Sequence, residues 1–435
     1  MHNHRIAGSF TGSPTGSLTL WLRRASFALA LALTACGGGG SGGSSSTASS
    51  SGGTTGSSPQ SSPTQSGVSN AVTVTVAQGV EGAWNIPTVS VTVCAPGTTN
   101  CQTIDNVQVD TGSFGLRLLS SALSSSVAAA LPTSSAGSGA TLAECASFAD
   151  GYMWGSVHTA DVKLGGETAS AIPIQVVGDL SSSTVPAACQ RLGSDETTQE
   201  DVGANGILGI GVAPNDCGPT CTPAADGYYA CPNGANCTGI TVTATQEVAN
   251  PVANFAADNN GVSLQLPAVA STGAPSATGT LLFGIGTETN NAMSATQRFE
   301  TSDSGDLTAT FNGAVVPYAF LDSGSNGLFF ADSAIPQCTN LGGGWYCPTS
   351  TDTLGATLTG VDGSTGSISF DVANAQTLYN TGNLALNDLG GSICSSGQSC
   401  YAQDFDLGLP FFYGRTVYYG YDQRASGGQA PYVAF

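Results

Sequence analysis

Two stretches of this chain set an aspartate in the same surroundings. Val109-Asp110-Thr111-Gly112-Ser113-Phe114-Gly115-Leu116-Arg117-Leu118 and Leu321-Asp322-Ser323-Gly324-Ser325-Asn326-Gly327-Leu328-Phe329-Phe330 both read apolar-Asp-(Ser/Thr)-Gly-Ser-x-Gly-Leu-x-apolar. A single Asp-Ser-Gly or Asp-Thr-Gly is ordinarily just a turn. Two extended copies suggest a shared task. Carboxylates brought within about 3 Å of each other cannot both ionise cheaply, so they share one proton. The ionised partner then serves as a base toward water, and the protonated one as an acid toward a carbonyl oxygen.

The elements that must position these carboxylates are also duplicated. A β-strand delivers each aspartate, and the glycine behind it lets the backbone turn sharply. Downstream lie Gly206-Ile207-Leu208-Gly209-Ile210 and Asp406-Leu407-Gly408-Leu409. The offset from aspartate to central glycine is 99 residues in the first half and 86 in the second. Two signals repeated in the same order at similar spacing imply two lobes built alike.

On these residues the chain resembles a pepsin-like aspartic peptidase, from about Val68 to Phe435, and is similar to an uncharacterised family of bacterial lipoproteins of that type. The resemblance implies an all-β, bilobal fold with a cleft between two related β lobes. It further implies an aspartic endopeptidase with Asp110 and Asp322 as catalytic pair. Thr111 and Ser323 would lock the two loops through hydroxyl-to-backbone bonds, Ser113 and Ser325 would hydrogen-bond the carboxylates, and Gly112 and Gly324 would allow the turns. Cys145 to Val157 with Asp161 to Gly166 resembles the family's flap hairpin and its return strand. That makes Phe148, Tyr152 and Trp154 candidates for the flap or cleft, although aromatic residues in a hairpin are more often ordinary packing. Leu281-Leu282-Phe283-Gly284 resembles the strand joining the lobes. Where the family commonly has a tryptophan, seven residues after the first aspartate, this chain has Arg117. Its guanidinium would either lie near the cleft, acting on the pair or on an acidic substrate group, or turn outward to a surface carboxylate. The alternative to catalysis is a silent peptide- or protein-binding module, or a structural envelope lipoprotein, on the same fold.

Rival chemistries lack material. Among three histidines, His2 and His4 lie in the leader, leaving His158. The pattern Gly-x-Ser-x-Gly occurs only at Gly39 to Gly43, in a stretch unable to form a strained nucleophile elbow. No cofactor and no metal site is expected. The chain has 9 Lys plus Arg against 29 Asp plus Glu. So acidic a chain has no electrostatic route to nucleic acid or anionic lipid. The expected partner is a peptide or protein substrate, with the chain otherwise monomeric.

Residues 1–36 read as a lipoprotein signal: Arg23-Arg24, the apolar run Ala25 to Leu33, then Leu33-Thr34-Ala35-Cys36. The run is too short to span a bilayer. Cys36 is the expected lipidation site, with Gly37 after it pointing to the outer membrane, so the membrane is reached through N-terminal lipid only. Residues 37–67 are almost wholly Gly, Ser, Thr and Pro, a tether reaching roughly 30 Å as a coil. The first lobe is then expected over 68–278, and the crossing strand with the second lobe over 279–435.

Twelve cysteines besides Cys36, in an exported chain, imply six disulfides. Cys94 with Cys101, Cys338 with Cys347 and Cys394 with Cys400 are spaced to close hairpins. Pairing among Cys217, Cys221, Cys231 and Cys237 is left open, within what reads as a stapled surface loop. Many glycines and alternating apolar residues favour short strands and turns, with a short helix expected within Ser120 to Leu131.

Overall fold

The computed structural model describes residues 70–435, apart from 150, 219–220, 222–224, 226 and 394–402. The signal, the tether, Cys36 and the Cys394–Cys400 pair lie outside the described residues.

Strands dominate, in chain order. The first lead into loop one: β1 (Ala71–Val76), β2 (Pro87–Cys94), β3 (Cys101–Asp110) and β4 (Phe114–Leu119). A meander follows in β5 (Thr141–Ser147), β6 (Gly151–Leu164) and β7 (Glu167–Val177), then the short β8 (Ser194–Asp195) and β9 (Gly206–Ile210). The cysteine-rich insertion carries β10 (Tyr228–Cys231) and β11 (Thr238–Gly239). Mid-chain come β12 (Gly261–Gln265), β13 (Ala277–Phe283) and β14 (Arg298–Glu300). Loop two is framed by β15 (Leu307–Phe311), β16 (Ala314–Asp322) and β17 (Leu328–Phe330). The rest are β18 (Asp352–Thr359), β19 (Thr365–Val372), β20 (Gly390–Ser392), β21 (Asp404–Gly408), β22 (Thr416–Gly420) and β23 (Tyr432–Ala434).

The hairpins have local causes. Between β15 and β16 sit Asn312 and Gly313, both at positive φ (50° and 77°), the pattern of a type I′ turn whose twist suits the strands it joins. The β2–β3 hairpin is closed by the Cys94–Cys101 disulfide. Helices are short, the longest described one being Ala375–Thr381, capped by Asn374 and ended by Gly382 at φ 71°. Instead of one helix within Ser120 to Leu131, there is a 3-10 turn at Ser120–Ala122 and a single α turn at Ser125–Ala128. Extended backbone at Leu123 (ψ 133°) separates them.

The internal repeat is visible in the strand pairing. In the first half β2 pairs β3 antiparallel, β3 pairs β9 parallel, β9 pairs β4 antiparallel, and β4 pairs β7 parallel. The second half repeats that sequence of directions with β15, β16, β21, β17 and β20. The all-β, bilobal architecture is therefore built into the hydrogen bonding itself. Strands from both ends of the chain join the halves: β1 pairs β13 over six residues, β13 pairs β12, and β12 pairs β22, which carries β23 and β14. One apolar cluster runs through both halves, from Val74 and Val109 to Leu321 and Leu407.

The insertion is more than a surface loop. Its β10 extends the sheet by pairing with β5, and Tyr228 is buried there. Five disulfides join described residues: Cys94–Cys101, Cys145–Cys189, Cys217–Cys221, Cys231–Cys237 and Cys338–Cys347. No described helix is long and apolar enough to cross a membrane.

Candidate active site

Parallel pairing puts each aspartate beside the central glycine of its half's second signal: Asp110 opposite Gly209, and Asp322 opposite Gly408. Glycine is required at both. A Cβ on Gly209 would lie 2.7 Å from the Phe114 backbone, and one on Gly408 would lie 2.0 Å from the Gly327 carbonyl. These crossings hold the loops from behind.

The two loops then meet face to face. Thr111 Oγ1 accepts from Ser323 N at 2.8 Å, and Ser323 Oγ accepts from Thr111 N at 3.2 Å. Each hydroxyl also donates across: Ser323 to Val109 O at 2.7 Å, and Thr111 to Leu321 O at 3.4 Å. Four buried bonds, two in each direction, fix one loop against the other.

Around each carboxylate the donors are matched. Gly112 N donates to Asp110 Oδ1 at 2.8 Å and Ser113 Oγ to Oδ2 at 2.5 Å. Gly324 N donates to Asp322 Oδ1 at 2.8 Å and Ser325 Oγ to Oδ2 at 2.7 Å. A side-chain hydrogen bond also joins Asp110 to Asp322. Both carboxyls are buried, 2% and 0% exposed. Burial raises the pKa of each; the charge of Asp322 pushes Asp110 up further, while hydrogen bonds from Asp110, Ser325 and Gly324 pull Asp322 back down. Two carboxyls this close and this buried titrate as one pair.

Two supporting residues carried no sequence signal. Gln108 Nε2 donates to Gly324 O at 2.9 Å. Asn85, at φ 53°, donates to Asn326 O at 2.9 Å and Leu386 O at 2.8 Å, and accepts from Leu386 N at 2.8 Å and the Tyr413 hydroxyl at 2.9 Å. The segment between β1 and β2 is thereby tied to the second loop. An asparagine before a strand gives no hint of partners 241 or 328 residues away.

Arg117 lies in neither expected place. It is fully buried on β4, donating to Glu144 Oε1 at 2.5 Å, Asp216 Oδ2 at 3.0 Å and Phe114 O at 2.7 Å. A guanidinium facing inward from an interior strand must be paired, and Glu144 on β5 and Asp216, just ahead of the cysteine-rich insertion, pair it. The hairpin aromatics are also packed. Phe148 sits among Leu119, Met153, Val202 and Ile207, while Tyr152 and Trp154 pack around the Cys145–Cys189 disulfide. That disulfide and the Tyr152–Asp195 pairing hold the following loop against the hairpin.

His158 is on β6, its Nε2 2.8 Å from Ser156 Oγ and 3.3 Å from Asp179 Oδ2, and its Nδ1 3.2 Å from Leu131 O. A catalytic triad needs the acid on the ring nitrogen opposite the nucleophile, and here both share one nitrogen. A cavity of about 300 Å³ beside the Cys338–Cys347 disulfide is lined by no residue of the two aspartate loops. No group of metal-ligating side chains occurs among the described residues.

Residues 66–435 match the family described as "Protein of unknown function (DUF3443)". The chain belongs to this family. No curated protein matches it. Among solved structures it is similar to the aspartic proteinase from Irpex lacteus, with a TM-score of 0.47 and 16% identity over 84% of this chain and 96% of that one.

Proposed function

We propose that this DUF3443 protein is an aspartic-type endopeptidase acting through Asp110 and Asp322. What supports the reading above all is the mirrored loop pair, with two buried, mutually hydrogen-bonded carboxyls, each held by a glycine N–H and a serine hydroxyl. In the proposed reaction Asp322, ionised, takes a proton from a water whose oxygen attacks the peptide carbonyl carbon. Asp110 gives its proton to the carbonyl oxygen. Collapse of the tetrahedral intermediate then breaks the C–N bond, the leaving amine takes up a proton, and one proton stays shared by the pair. Thr111 and Ser323 would keep the carboxyls in register, and an extended substrate would bind with strand-like hydrogen bonds.

The proposal includes export and anchoring through Cys36 to the cell envelope, on the strength of the tetrapeptide and the tether after it. A second reading, a binding module without turnover, draws on the near-complete burial of both carboxyls. Incubating the full chain with a peptide library from pH 3 to 7, with and without a transition-state peptide inhibitor, separates them. Inhibitor-sensitive cleavage in acid is expected; peptide binding without any cleavage would favour the module.

A further inference from the structure

The two halves differ on the strand that crosses behind each aspartate loop. Two residues before its central glycine, the first half has Ile207, paired with Gln108; the second has Asp406, paired with Phe320. Side chains two apart on a strand share a face, so Asp406 shares its face with the position beside Asp322. Asp406 is 3% exposed. We propose that Asp406 is a third carboxylic acid of the site, held neutral, which hydrogen-bonds Ser325 and so keeps Asp322 the ionised partner.

The proposal gives the peptidase reading a positioning residue and rests on that reading for its role in turnover. Its chemistry rests on counting hydrogens. Ser325 has one hydroxyl hydrogen, given to Asp322 Oδ2 at 2.7 Å. The Asp406 carboxyl lies within reach of the same hydroxyl. With its hydrogen spent, Ser325 can only accept from Asp406, and a carboxyl donates only when protonated. Oδ1 of Asp406 is buried without a partner. That suits the carbonyl oxygen of a neutral acid better than an anionic oxygen, whose burial unpaired costs more.

The surroundings agree. The titratable groups facing Asp406 are the carboxyls of Asp322, Asp110 and Asp404 and the phenol of Tyr419. Burial first, and Asp322 second, push its pKa well above the carboxylate range. Asp406 to Ser325 to Asp322 thus forms a chain of donors ending on one member of the pair. The first half, with Ile207, has no such acid at that position.

The test is infrared titration of the carboxyl bands in the full chain, for wild type, Asp406→Asn and Asp406→Ile, beside a pH profile of peptide cleavage. At pH 6 the Asp406→Asn spectrum should lack one protonated-carboxyl band that wild type shows. The first ionisation of the pair should rise by roughly one pH unit in Asp406→Ile, which removes the donor, and stay within a few tenths in Asp406→Asn, whose amide can still donate. Where cleavage is measured, its acid limb should move the same way. A retained band in Asp406→Asn overturns the proposal, as does a fall of the first ionisation in both variants, the mark of a charged Asp406. An ionisation unmoved in Asp406→Ile reduces Asp406 to packing and equally overturns it. Should Asp406→Ile not fold, the near-isosteric Asp406→Asn band decides alone. The spectra need no turnover, so a chain that cleaves nothing ends the peptidase reading and leaves this test intact.

Discussion

At the scale of single residues, the chain uses buried charge in two different ways. Asp110 and Asp322 are ringed by neutral hydrogen-bond donors, whereas Arg117 sets one positive charge between the buried carboxyls of Glu144 and Asp216 in the first half. Replacing Arg117 by Leu leaves those carboxyls buried without their cation, and should destabilise the fold by about 3–5 kcal/mol at pH 7 in urea denaturation. The loss should shrink in acid, because a protonated Asp216 needs no cation. The pH limbs of any cleavage should stay put, since the guanidinium's carboxylate partners are Glu144 and Asp216. The sequence made Asp110 and Asp322 legible because each sits in a short pattern whose meaning is local. Arg117 stood out as an oddity, but its partners lie 27 and 99 residues away, and nothing near it in the chain announces them.

At the scale of elements, glycines mark where backbone and site come closest. A Cβ on Gly324 would lie 2.6 Å from both Cγ and Oδ1 of Asp110 and 3.1 Å from Asp322 Oδ1. Gly324→Ala should therefore pry the carboxyls apart and lower kcat/KM by about 100-fold or more, while the denaturation midpoint moves far less. Matching losses of activity and stability would instead mean that the loop had unfolded. Both Leu-Gly crossings were readable from sequence because only glycine fits behind such a loop. The place of β10 was not, since its pairing with β5 depends on Tyr228 finding Asp216 and the Val248 amide in the interior. The same holds for Cys145–Cys189, which spans 44 residues, whereas Cys94–Cys101 and Cys338–Cys347 close hairpins and show in their spacing.

At the scale of the whole molecule, the proton balance favours acid. Burial raises Glu247 to about 7, and burial with the nearby Asp371 raises Asp388 to about 6. A carboxyl whose folded pKa exceeds its unfolded value of roughly 4 adds stability that is full below that value and is lost as pH climbs through the folded one. The unfolding free energy from urea titrations should thus fall between pH 4.5 and 7.5, by about 2 kcal/mol in all after solvent screening, and the urea midpoint with it. Asp422 and Asp362, whose pKa values are lowered, act only below that window. A midpoint rising with pH would contradict the burial of these carboxyls. Anchoring is tested in cells: Cys36→Ser should move the protein from the membrane to the soluble fraction, and unchanged partitioning would count against the lipid. The most direct test of the central claim is the pH–rate profile of one cleaved peptide for wild type, Asp110→Asn, Asp322→Asn and the double variant. A proton-sharing pair predicts a bell-shaped wild-type profile, a fall of about four orders of magnitude in each single variant, and a double variant no worse than either. Cleavage at the wild-type rate in either single variant would contradict it.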